Sequence, residues 1–537
     1  MRSLPLDDPE VEAATLAAWA EHVGRRVHES DLRAALGRGS LPEAFAETAR
    51  RRSSHVAVAV AGEAVTHGEL DSMASRAASS LARFGVGEDR RVMLIAEVGI
   101  EEITAYLGVL RLGATLVLAN PSLSESELAK LARVSEASLI VGSGAGLSRV
   151  VGSDLPVVAE LVGLRGSDGD SASAMLGDVA DDSFHPVVPV DSDSSAVLAF
   201  TSGTTGLPKP TPLTHGNLLA SIRGVMMAWR WGPQDHLLHS LPISHQHGLS
   251  GIHATLLAGS RCTLLGAFDP ESTLDSIMND GATVHFGVPA VYQRLLDGLG
   301  TRAGELSRLR LATSGSGPLP KEIEERYHTI VGQRLLERYG TTESGLDVSN
   351  PYEGRRVGGQ VGLPLPGVEI ALVDPTGKIV EGGAVGEILV RGPQVFSGYI
   401  GLADSKQPFF GDWFRTGDLG AWDPETGYLR IVGRTKEVII TGGMNVYPRE
   451  VEDVLLSHPD VDDAAVIGAD SNRWGEEVVA VVSPANVDPT SLMRFAAGRL
   501  APYKRPKRVI AIERIPRTSV GKPDREAIVG LVPPVGA

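Results

Sequence analysis

The chain has 537 residues, more than one hydrophobic core usually supports, so at least two domains are expected. Its 50 basic and 66 acidic residues give a formal charge of −16 with no basic block, which argues against nucleic acid or an anionic membrane as partner and leaves any anionic ligand to local donors. The single cysteine, Cys262, excludes disulfide frameworks and cysteine-ligated zinc within one chain and reads as a buried structural thiol. The chain does not open on a basic flank followed by an apolar core, and no apolar run is long enough to span a bilayer, so a soluble cytoplasmic protein is expected.

Residues 1–40 read as a helical extension in which Val11, Leu16, Ala17 and Trp19 are partly periodic. From His55 the pattern alternates. Residues 56–60 suit a strand, Leu70, Met73, Ala74, Ala77 and Leu81 recur at helical spacing, and 91–95 suit a strand again. A helix over 101–112, a strand over 115–119 and a helix over 125–134 continue the series, which predicts an α/β fold with layered, largely parallel sheets. Gly142-Ser-Gly-Ala-Gly146 lacks a complete dinucleotide fingerprint and reads as a turn, and 165–195 as a loop. Beyond Gly362-Leu-Pro-Leu-Pro-Gly367, short strands over 368–373, 386–390 and 428–432 predict a small β-subdomain. After Arg434 a compact α+β segment is expected, with helices near 448–457 and 490–499 and strands near 464–467 and 478–482.

Thr201-Ser-Gly-Thr-Thr-Gly-Leu-Pro-Lys209 follows the apolar run Ala196–Phe200. Its glycines let successive N–H groups turn inward, and its hydroxyls and ammonium add donors for a polyanion. This is phosphate chemistry, although Leu207-Pro208 between Gly206 and Lys209 departs from the ordinary P-loop spacing. Pro210 and Pro212 remove two backbone donors, so phosphate contacts must come from before Lys209.

Four later segments occur in order with it: Tyr339-Gly-Thr-Thr-Glu343, Trp413-Phe-Arg-Thr-Gly-Asp418, Gly433-Arg-Thr-Lys-Glu-Val-Ile-Ile-Thr-Gly-Gly443 and Pro516-Arg-Thr-Ser-Val-Gly-Lys522. Together the five motifs resemble the acyl-adenylate-forming superfamily of acyl-CoA synthetases, luciferases and peptide-synthetase adenylation domains, over nearly all of the chain from about Leu41 to Gly530. The resemblance implies a large N-terminal domain over 1–433 and a smaller, mobile C-terminal domain over 434–537, hinged at Lys436-Glu437. It implies ATP, Mg²⁺ and coenzyme A as cofactor and cosubstrates.

Carboxylates are poor acyl donors, and attaching AMP both removes their charge and supplies a leaving group. By resemblance the triphosphate is held by Thr201, Ser202, Gly203, Thr204, Thr205, Gly206 and Lys209. Glu343 is the expected Mg²⁺ ligand with the Thr201 hydroxyl nearby, since this hard cation takes few carboxylates plus phosphate oxygens. Thr342 is expected at the α-phosphate, Ser314, Gly315 and Ser316 against the adenine with Tyr339 on its other face, and Glu337, Arg338, Gly340 and Thr341 around the nucleotide. Asp418 would accept from both ribose hydroxyls, with Arg434 completing the clamp. Lys522 would be the catalytic lysine, stabilising charge that develops during adenylation. Its departure after adenylation would let Gly442 and Gly443 help form a thiol channel, with Lys504 in a small basic patch suited to CoA phosphates. The hinge position carries Glu437 where relatives usually have aspartate.

The histidines of Leu241-Pro-Ile-Ser-His-Gln-His-Gly-Leu249 raise a metal site, but the resemblance places His247 at the acyl pocket. Residues 241–374 are most similar to malonyl-CoA synthetases, through His-Gln-His-Gly-Leu249, Phe268-Asp-Pro270, 287–296 and 349–354. Arg294 aligns with the arginine those enzymes aim at a second carboxylate. Gly345, standing where that group carries bulkier residues, predicts a deeper pocket floor beside Gly340 and hence a bulky monocarboxylate, of secondary metabolism, in place of malonate. The expected activity is an AMP-forming carboxylate–CoA ligase. The alternatives are a malonyl-CoA synthetase and a stand-alone enzyme loading an acyl carrier protein, with a non-enzymatic adenylate-binding protein disfavoured by the intact motifs. A homodimer is compatible with the sequence.

Overall fold

The computed structural model describes residues 9–24, 28, 30, 32–33, 36, 39–60, 62–95, 99–143, 147, 158–160, 184–201, 209–266, 268–403, 408–471, 473–517 and 523–532. Two compact units divide the chain. The larger comprises 7–370 with 390–414, and the smaller comprises 1–6, 371–389 and 415–537.

Within the larger unit, a six-stranded sheet runs in the order Val158–Glu160, Leu139–Gly142, Arg91–Ile95, Thr115–Ala119, Ser195–Thr201, Lys209–Thr214. Its strands are parallel except the last pair, where Ser195–Thr201 meets Lys209–Thr214 antiparallel and sets Thr201 opposite Lys209. The helices His67–Arg83, Ile100–Arg111 and Glu125–Ser135 fall where apolar spacing predicts them. Two of them start on a full capping box, Thr66 with Glu69 and Ser124 with Glu127.

A nine-stranded sheet follows in the order Leu363–Pro364, Val348–Ser349, Leu336–Tyr339, Leu311–Ser314, Val284–Gly287, His236–His239, Arg261–Leu264, Val56–Val60, Glu63–Thr66. Its central strands are parallel and largely buried, as strands covered on both faces must be. Cys262 is buried in one of them, and burial pushes its thiol pKa up, so it is inert packing.

The N-terminal helix Pro9–Val23 buries Thr15, Ala18, Trp19 and His22, whereas Leu16 is 36% exposed. Of the apolar positions that periodicity selected, Trp19 is buried, Val11 half-buried, and Leu16 and Ala17 exposed. Trp19 Nε1 donates to the Val368 carbonyl at 2.8 Å. In the smaller unit, an antiparallel pair joins Asp463–Ser471 to Gly475–Ser483, with Arg508–Ala511 parallel beside the latter, and Pro448–Leu456 and Pro489–Ala497 are helices. Both strands extend beyond the apolar stretch that marked them, because they continue into the polar hairpin residues around Gly475.

Candidate active site

The strand Leu336–Tyr339 ends in a turn whose geometry depends on two glycines. A Cβ on Gly340 would stand 2.0 Å from the Gly345 carbonyl oxygen, so no other residue fits. Gly345 has φ +73°, and a Cβ there would meet Ser221 Oγ at 2.5 Å. The turn closes through Gly345 N–H to the Thr341 carbonyl, 2.9 Å, and Asp347 N–H to the Tyr339 carbonyl, 3.0 Å. Ser344 donates to Asp347 beneath it. Backbone conformation and the Ser221 contact thus give Gly345 a structural reason of its own, beside the pocket depth expected from the sequence.

This turn leaves Thr341 and Thr342 half-buried and buries Glu343. Glu343 Oε1 accepts from the Tyr399 hydroxyl at 2.6 Å, and the Lys209 ammonium lies 4.9 Å from the centroid of the Tyr399 ring. Among the described residues no group of three or more His, Cys, Asp and Glu could hold a metal unaided. A single carboxylate fits Mg²⁺, which takes most of its ligands from phosphate and water.

A second group of side chains is buried and polar. His247 is 5% exposed, its ring 5.2 Å from that of Phe286, and its Nδ1 is 3.3 Å from Ser316 Oγ. Ser316 is one of few non-glycine residues at positive φ, +65°. Burial first, then the neighbouring Arg338, His239 and His285, hold His247 well below its usual basicity. His239 is lowered to about 3 and His285 to about 4, in both cases by burial foremost. Arg338 packs against Gly315, whose Cβ position would be 2.4 Å from the guanidinium Nε. Its Nε and Nη2 are buried with no hydrogen-bond partner among the described residues, and desolvation lowers its pKa to about 9. Ser314 Oγ and Thr313 Oγ1 are also buried without partners. Arg294, by contrast, is on the exposed face of Pro289–Asp297, its guanidinium 5.0 Å over Phe268, and takes no part in this group.

In the smaller unit, Asp418 and Arg434 are cross-strand partners, with Arg434 Nε donating to Asp418 Oδ1 at 2.8 Å. Lys436 and Glu437 lie in a single 3₁₀ turn, and Glu437 pairs with Arg525 at 3.1 Å. Gly442 and Gly443, at φ +58° and +78°, form the two-residue turn between Ile439–Thr441 and Met444–Val446. Lys504 is held by Glu450. Ser202, Gly203, Thr204, Thr205, Gly206 and Lys522 lie outside the described residues.

Residues 45–400 match the AMP-binding enzyme family and residues 450–522 the AMP-binding enzyme C-terminal domain. The chain belongs to the AMP-binding enzyme family. It is an AMP-forming acid–thiol ligase. A malonate–CoA ligase from Arabidopsis thaliana is 31% identical over 91% of the ligase and 89% of its own length. A feruloyl-CoA synthase from an Amycolatopsis species is 34% identical over 90% and 97%. A crystal structure of ATP-bound MatB from Rhodopseudomonas palustris aligns with a TM-score of 0.83, at 34% identity over 91% of the ligase and 98% of that chain. No described helix of the ligase is long and apolar enough to cross a membrane. Glu343, Arg338 and His247 of the ligase were singled out in the sequence as site candidates, whereas Tyr399 and His285 were not. Tyr399 carries no local signature, since its partner is 56 residues away.

Proposed function

We propose that the ligase activates a carboxylic acid bearing a second anionic group, of the malonate class, and passes the acyl group to coenzyme A. The observation carrying this reading is Arg338: a buried guanidinium whose Nε and Nη2 have no partner among the described residues, beside a His247 kept neutral by burial, is a positive charge that an anionic ligand would compensate. The substrate carboxylate attacks the α-phosphorus of ATP, the bond to the β-phosphate oxygen breaks, and pyrophosphate leaves. The CoA sulfur then attacks the acyl carbon, giving up its proton to solvent as AMP leaves.

In this scheme Glu343 and Thr201 hold Mg²⁺, which when bound neutralises the triphosphate, and Lys209 with residues 201–206 binds the phosphates. Thr342 lies at the α-phosphate, the 314–316 loop and Tyr339 at the adenine, and Asp418 with Arg434 at the ribose. Lys522 supports adenylation, and Gly442, Gly443 and Lys504 serve the thioester step after the 434–537 domain turns about Lys436-Glu437. The bulky-monocarboxylate reading stands second, supported by the aromatic wall in which Phe286 meets Trp229 and Trp231 edge-on at 5.7 and 5.6 Å. A pyrophosphate-exchange screen across dicarboxylates, short monoacids and ring-bearing monoacids separates the two. A strong preference for a ring-bearing monoacid would overturn the proposal.

A further inference from the structure

Tyr399 touches both an acidic and a basic side chain. Its hydroxyl donates to one oxygen of Glu343, while its ring face receives the Lys209 ammonium. No hydrogen bond to the second Glu343 oxygen occurs among the described residues. The segment that bears Tyr399 is fixed on three sides. Phe396 N–H donates to the Glu343 carbonyl at 2.8 Å, Ile400 N–H donates to the Pro210 carbonyl at 3.1 Å, and the fully buried Phe396 ring meets Tyr399 edge-on at 4.9 Å. The same short stretch therefore ties the Glu343 turn to the strand that begins at Lys209.

We propose that Tyr399 is a positioning residue for metal–nucleotide binding. A short hydrogen bond from a neutral donor fixes the carboxylate rotamer without cancelling its charge, so one oxygen stays anionic and available. The cation–π contact seats Lys209 on the ring and away from Glu343, whose direct ion pair with it would neutralise both groups before nucleotide arrives. The aromatic ring thus separates metal ligation from phosphate binding within one small region. This rests on Glu343 as the metal ligand proposed above.

Two substitutions test it, with calorimetric titration of Mg-ATP and of metal-free ATP in chelator. Tyr399→Phe keeps the ring and removes the hydroxyl, so Mg-ATP binding should weaken by about tenfold or more, the usual loss when a group orienting a metal ligand is removed. Metal-free ATP binding should be unchanged. Tyr399→Leu removes the seat of Lys209 as well and should weaken both forms of the nucleotide. Thermal melting of both variants within a few degrees of the parent shows that the fold is kept. Unchanged Mg-ATP affinity in Tyr399→Phe, or equal weakening of both nucleotide forms in it, would overturn the assignment. Pyrophosphate exchange in the parent reports on the ligase reading, whereas the ratio of the two affinities reports on Tyr399 alone.

Discussion

The two units hold their functional side chains in opposite electrostatic settings. In the larger, Arg338 and Glu343 are each 8% exposed and His247 5%, so a charge there feels a low dielectric and must be matched or neutralised. In the smaller, Arg434 is 57% exposed on its side chain and the pairs Glu437–Arg525 and Lys504–Glu450 are partly solvated, so each pair is worth about 1 kcal/mol at most. Buried groups of the first kind select what binds, because an unmatched ligand leaves a desolvated charge alone. Solvated pairs of the second kind exchange partners cheaply, as the two half-reactions proposed for them would require.

The largest expected effect falls on Arg338. If the larger unit recognises an anion, Arg338→Ala should reduce the preference for a dicarboxylate over a monoacid by roughly 2–5 kcal/mol, read as relative kcat/KM. A parent enzyme that already prefers the monoacid would break the comparison at this point.

Lys522→Ala probes the smaller unit. Adenylate formation should fall about a hundredfold or more, the size of effect expected for one charge-stabilising donor, while thiol transfer from supplied acyl-AMP is largely spared. Equal loss in both half-reactions, measured by pyrophosphate exchange and thioester release, would remove the lysine from its assigned role.

Acid should unsettle the larger unit specifically. His22, His215, His236 and His285 are lowered to about 4, and His239 and His253 to about 3, with burial the main cause throughout. The unfolded chain takes up protons on these rings near pH 6.5 and the folded one does not until far lower. Their contribution to stability is therefore present above pH 6.5 and is lost as pH falls from there toward 4, at up to about 1.4 kcal/mol per histidine per pH unit. Thermal melts between pH 7.5 and 5 should show a falling midpoint, and a midpoint independent of pH over that range would contradict the burial described. The smallest effect belongs to Arg294→Ala, which on an exposed helix face should alter stability and kcat/KM by no more than about 0.5 kcal/mol; a large loss would return Arg294 to the pocket.

What was legible in the sequence was periodic or contiguous. The strands at 56–60, 91–95 and 115–119 and the three helices between residues 67 and 135 follow directly from apolar spacing, and the five motifs from residues adjacent in the chain. In the N-terminal helix the partly periodic positions include Trp19, which is buried and bonded to Val368, 349 residues away, a constraint that no local period contains, and Leu16, which is exposed. Arg294 and Arg338 illustrate the same limit. Burial, which decides their chemistry, is a property of the strand and helix each ends up on. Tyr399 is the extreme case, a tyrosine whose neighbours Glu343 and Lys209 come from segments 56 and 190 residues away.

The clasp between Gly340 and the Gly345 carbonyl has a kinetic consequence. Because backbone meets backbone there, the Thr341–Glu343 arc is shaped during folding and would have little left to lose on binding nucleotide as proposed. Its ordering entropy is not charged again at each turnover. Association at this arc should then run at the rate of encounter, and discrimination between triphosphates should appear in how long each one stays.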